Sequence, residues 1–148
     1  MTRVLEIQQL RSKALTKLGA SFASADDNGN AALCHLKLAA ELDPTAPQPP
    51  HQIGIVLLGM CDDAEGAAAA HRAALKLDPN LASAHSALAT CLGAMGNLEG
   101  AVRSYEAGIT LMVRDGRAIS PDALAGLGDT LSALLESKSS KESSANSK

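Results

Sequence analysis

Aromatic side chains are nearly missing from this chain: among 148 residues there are one phenylalanine (Phe22), one tyrosine (Tyr105) and no tryptophan. A core must therefore be filled by alanine and leucine, both good helix formers. Cysteine is scarce as well: Cys34, Cys61 and Cys91 form no C-x-x-C pair. Three isolated thiols leave no disulfide framework and read as mostly buried, small hydrophobes of a reducing, cytoplasmic protein. A basic surplus is also absent. The net charge of -3 argues against nucleic acid as the main partner, because phosphate binding needs a cationic surface.

No membrane segment is expected. The uncharged run from Asn80 to Leu98 holds Asn80, Ser83, His85, Ser86, Thr90 and Asn97, which is too polar for a span. No secretory signal is visible. The opening MTRVLEIQQLRSKALTKL is biased to Arg and Lys, which resembles an organelle import segment, but it reads more simply as the first helix of the fold.

What the chain has is self-similarity. AAELDP at 39–44 returns as AALKLDP at 73–79, so Pro44 and Pro79 stand 35 residues apart. Periods of this size mark stacked structural units. Upstream of each copy lies a common spacing of large and small residues: Leu15, Leu18, Gly19, Phe22; then Pro50, Ile53, Gly54, Leu57; then His85, Leu88, Ala89, Leu92; and finally Leu124, Leu127, Gly128, Leu131. Downstream come Ala32, Ala67 and Ala101. Four residues later stand Leu36, His71 and Tyr105, then Ala39, Ala74 and Gly108 three further on. Steps of three and four put each set on one helical face. The small members make room where two helices cross about 8–10 Å apart.

The punctuation agrees. DDNGN at 26–30, CDDA at 61–64 and GN at 96–97 separate paired helices, with Asp62 or Asp63 and Asn97 as N-caps and Gly96 as a stop. Each LDP ends a second helix, since proline disfavours helix at the residue before it. SPDA at 120–123 offers a serine cap with proline at the first helical position. Seven helices are expected, over about 3–24, 30–42, 49–60, 64–77, 81–95, 98–113 and 121–136. From Ser137 to Lys148 the chain is polar and low in complexity, and a disordered Ser/Lys-rich tail is expected.

A small residue, an alanine about 13 positions on, a bulky residue, another alanine and LDP at this period resemble the tetratricopeptide repeat. The likeness covers about 13–136 and is fullest from Ala82 to Val113. It implies an all-α, right-handed α-α superhelix within a domain of residues 1–136. Its repeats fall at about 13–45, 48–80 and 82–113, and a capping helix at 121–136 is polar on its outer side. His85 and His71 stand where the family has aromatics. LDP recurs because a single helix pair cannot bury its apolar face alone.

Catalytic and metal chemistry find no footing. Zinc needs three or four converging ligands, and Cys34 and His35, being adjacent, point apart on a helix. His71 and His85, divided by a turn, read as packing residues. Cys91 has no histidine at four residues' distance to activate it. DDNGN lacks the rest of a calcium loop and reads as a turn. No cofactor and no catalytic residue is expected, and an enzyme is the disfavoured class.

In the resembled family the first helices of the pairs line a concave groove for a peptide or helix. The resemblance implies groove positions Thr16, Ala20, Ala23 and Ser24 in the first unit. Gln48, His51, Gln52, Ile55, Leu58 and Gly59 follow in the second, then Ser83, Ser86, Ala87, Thr90, Gly93 and Ala94 in the third. Asp122, Ala125 and Asp129 come from the cap. One familiar use of such grooves is a cationic clamp for the acidic tails of chaperones. Its positions here, Thr16, Ala20, Gln52, Ser83 and Ala87, include no cation, so that use is disfavoured. The groove reads as small and apolar, with Ile55 and Leu58 either at its centre or as ordinary core. The expected function is a non-catalytic protein-interaction module, an adaptor or assembly factor with a protein or peptide partner. A small secretion-type chaperone is the alternative, and a homo-oligomer is compatible with either.

Overall fold

The computed structural model describes residues 2–25 and 28–147. Its elements are α1 (Thr2–Ala25), α2 (Gly29–Leu42), α3 (Gln48–Cys61), α4 (Ala64–Leu77), α5 (Ala82–Ala94), α6 (Leu98–Arg114) and α7 (Pro121–Asn146), with no strand among the described residues. Every end but the last lies within one residue of the sequence expectation. Asp26 and Asp27 of the first turn lie outside the described residues.

Local chemistry explains the ends. Asp63 and Asn97 cap α4 and α6, their side-chain oxygens accepting from Gly66 N–H at 2.8 Å and Gly100 N–H at 3.0 Å. Ser120 is the N-cap of α7 but makes no side-chain capping bond. Gly96 takes φ +80°, the left-handed conformation that stops α5 at little cost. The LDP phrase works in two stages. Asp43 and Asp78 donate their N–H groups to Ala39 O and Ala74 O, finishing α2 and α4. Their carboxylates then accept from Thr45 N–H at 3.1 Å and Asn80 N–H at 3.0 Å, turning the chain toward the next helix.

Packing follows the small residues. Ala32, Ala67, Ala101, Ala39 and Ala74 are 0% exposed, at the crossings the spacing selects. A Cβ on Gly19 would lie 2.7 Å from Leu36 Cγ, and one on Gly54 would lie 2.5 Å from the His71 ring. Glycine is therefore what lets the bulky residue of α2 or α4 seat on its partner helix. Ser12, buried in α1, donates to Ala39 O at 2.8 Å and ties the first pair together. One apolar cluster joins Ala32, Leu36 and Val56. A second runs through Ala67, Ala68, Leu88, Ala89, Cys91, Leu92, Ala101 and Tyr105 to Ala123 of α7.

Consecutive helices pack on each other, and in addition α1 meets α3, α3 meets α5 and α5 meets α7. The helices α2, α4 and α6 touch only their neighbours in chain order. The stack therefore curves toward α1, α3, α5 and α7, which form its inner face.

One expectation is corrected. Helix α7 runs 26 residues to Asn146, through the stretch expected to be disordered. Residues 138–147 are exposed, so burial does not hold this part helical. The packed first half of α7 supplies the costly nucleus, and each further residue adds one hydrogen bond at small cost. Ser140 also bonds back to Glu136 O at 2.9 Å.

Candidate functional site

The inner face carries its recesses at two ends. Between α1 and α3 lies a cleft of about 590 Å3, bordered by Lys13, Thr16, Lys17 and Ala20 on one side and Gln48 and Gln52 on the other. Between α5 and α7 lie two smaller clefts, of about 280 and 290 Å3, which share Thr90 and Tyr105. Ser83, Ser86, Ala87 and Asp122 line the first of these. Gly93, Gly126, Asp129 and Thr130 line the second. Helical steps of three and four bring each set to one wall.

The inferred groove residues thus divide. Thr16, Ala20, Gln48 and Gln52 come together at one end, and Ser83, Ser86, Ala87, Thr90, Gly93, Asp122 and Asp129 at the other. Ile55 stands between the ends, 44% exposed on α3. Leu58 is half-buried and packs on the larger apolar cluster, so it belongs mainly to the core. Ala23 also packs inward, and Ser24, Gly59, Ala94 and Ala125 are exposed outside these clefts.

His51 is a correction. Rather than facing the groove it is buried at 6% exposure, its Nδ1 3.1 Å from Nδ1 of His71, which is 0% exposed. The His71 ring sits in the space Gly54 leaves open. Burial lowers the His51 pKa. The same cause, with the neighbouring His51 charge second, brings His71 down to about 4. Two neutral rings share one proton donor across the 3.1 Å gap, and His71 Nε2 has no partner. The Nε2–H of His85 donates to Pro79 O at 2.9 Å. Among the described residues no three His, Cys, Asp or Glu side chains converge as metal ligands. Cys34 and Cys61 are exposed, against expectation, whereas Cys91 is buried, and burial raises the pKa of its thiol, which keeps it protonated. No described helix is long and apolar enough to cross a membrane.

Two features escaped the sequence reading. Lys13 and Lys17 border the α1/α3 cleft. The 35-residue period that yields Gln48 and Gln52 also yields these lysines, so the signal was present. Tyr105 reads as core, yet its hydroxyl lies 3.0 Å from Thr90 Oγ1, between the two α5/α7 clefts. Nothing in its spacing shows that a phenol reaches that far.

Comparison of the sequence with family models and with curated proteins gives no match. The structure is similar to several solved domains. The first TPR domain of human RPAP3 superposes with a TM-score of 0.78 at 19% identity, covering 89% of this chain and 98% of that one. The Sgt2 TPR domain from Aspergillus fumigatus gives 0.77 at 24% identity, covering 86% and 81%. The first TPR of Spaghetti (RPAP3), bound to the HSP90 peptide SRMEEVD, gives 0.76 at 19% identity, covering 86% and 95%.

Proposed function

We infer, from the tetratricopeptide-repeat fold of this chain, that it is a non-catalytic interaction module holding a peptide or helical segment of a partner protein along its inner face. The observation that carries this reading is the inner face itself. Its three clefts, formed by α1, α3, α5 and α7, are lined mostly by small, polar and uncharged side chains. Such a surface offers dimples for ligand side chains and hydrogen-bonding groups for a ligand backbone. Ile55, exposed between the ends, supplies an apolar contact whose cover on binding is favourable. The role of adaptor or assembly factor follows from holding a partner without altering it.

The test is to fill the clefts. Ala20→Trp and Ala87→Trp together place bulk at both ends of the face, at positions that are not fully buried. Affinity capture with mass spectrometry, wild type beside this variant, should recover partners that the variant loses while its melting temperature holds. Partners retained on the filled variant would place binding elsewhere.

Chaperone tails give a narrower prediction. Thr16, Ala20, Gln52, Ser83 and Ala87 provide no clamp of cations, and Lys13 and Lys17 attract acidic segments by charge alone. SRMEEVD should therefore bind no better than its scrambled sequence in a titration at physiological salt. A clear preference for the native order would show a sequence-reading clamp.

A further inference from the structure

The inner face is charged only at its ends. Helices α3 and α5 contain no Asp, Glu, Lys or Arg. Lys13 and Lys17 stand at the α1/α3 cleft, and Asp122 and Asp129 at the α5/α7 clefts. Asp43 also borders the first cleft, but its Oδ1 is engaged by the Thr45 N–H at 3.1 Å and the Thr45 hydroxyl at 2.6 Å. Among the described residues neither Asp122 nor Asp129 takes part in an ion pair.

A second observation concerns a pair of hydroxyls. Thr90 Oγ1 lies 3.1 Å from Ser86 O, to which it can donate, and 3.0 Å from the Tyr105 hydroxyl, where either oxygen can be the donor. The phenol oxygen keeps its acceptor capacity, and it borders both clefts. Gly126 of α7 leaves the ring room to reach this place, since a Cβ there would lie 2.5 Å from Tyr105 Cζ. Two unpaired carboxylates and a phenol oxygen therefore present acceptors at this end. Their complement is a group rich in donors and positively charged, a lysine ammonium or an arginine guanidinium.

We propose that the α5/α7 end is a binding site for a Lys or Arg side chain of the partner segment. The segment is dipolar: its cation lies at the end that carries Asp122 and Asp129, and its carboxylates lie at the end that carries Lys13 and Lys17. This rests on the reading of the inner face as a peptide groove. It adds a charge rule to that reading: an all-acidic segment satisfies one end and is repelled at the other.

Random twelve-residue peptides displayed on phage provide the probe, followed by fluorescence anisotropy on synthetic copies of the selected sequences. Selected peptides should carry Lys or Arg toward one end and Asp or Glu toward the other. Asp122→Asn with Asp129→Asn should weaken them about three- to tenfold, the range for two exposed charge pairs. Replacing the peptide's cation by alanine should cost as much on the wild type and nothing further on that double variant. All four charged residues are exposed, so the variants should melt like wild type. Peptides lacking Lys and Arg, or affinities unmoved by the asparagine pair but lost with Ala87→Trp, would overturn the charge rule and leave the groove standing. Failure to select any peptide, or binding indifferent to both tryptophans, would overturn the groove and the charge rule together.

Discussion

The second and third units fill one slot in different ways. In the second, His71 is buried against Gly54 and pairs with His51 of its own repeat. In the third, Tyr105 passes beyond its own pair, bonds Thr90 and rests on Gly126 of α7. In the first unit the slot holds Leu36 above Gly19, with no polar group at all. All three side chains are buried. A repeat thus fixes the shape of the slot and leaves its chemistry free. The imidazole makes its unit sensitive to protons, whereas the phenol fastens the cap.

The largest break in this comparison should come from acid. The folded pKa of His71 is about 4, below the ordinary histidine value of 6.5, because burial disfavours its charged form. As pH falls, the unfolded chain takes up the proton first. Stability is therefore fully present above pH 6.5 and is lost as pH drops toward 4, by about 3 kcal/mol. His51 acts in the same direction. Urea titrations at pH 7.5 and 4.5 should show this loss, and His71→Leu, which copies the first unit, should remove more than half of it. Equal acid sensitivity in both proteins would detach the effect from this slot.

A smaller effect should come from Gly126→Ala. The added Cβ meets the Tyr105 ring. Overpacking of about 1–3 kcal/mol should outweigh a gain of about 1 kcal/mol in helix propensity. In a Tyr105→Leu background, which again copies the first unit, the same change should become stabilising. Thermal melts of the four proteins form a double-mutant cycle, and additivity would mean that Tyr105 does not seat on Gly126.

Smallest of all should be truncation after Glu136. Residues 138–147 are exposed, so stability should change by less than about 0.5 kcal/mol. Helical ellipticity should nevertheless fall, because these residues extend α7. An unchanged signal per molecule would show them not to be helical in solution.

The paired architecture was legible because its punctuation is local chemistry. Asp before Pro, Asp63, Asn97 and Gly96 act on their own backbone, and they mark helix ends without reference to the rest of the fold. Alanines at fixed spacing located the crossings for the same reason. Depth was less legible. The repeat pattern assigns His51 to the inner helix face, but not that it is buried beside the neutral His71 imidazole for which Gly54 leaves room. The helical continuation after Glu136 was hidden because composition describes a free segment, and this one grows from a helix already held in place. Lys13 and Lys17 were legible in principle, had the period been carried back into the first unit.

Tyr105 is the sole tyrosine in a chain without tryptophan. Excited near 280 nm, the protein therefore emits from one position, at the junction of α5, α6 and α7. Its fluorescence reports the docking of the cap, while circular dichroism reports every described helix. Where the two melting curves coincide, the stack unfolds as one cooperative body. Where emission changes first, the cap leaves before the repeats come apart, and the protein carries its own optical label for that step.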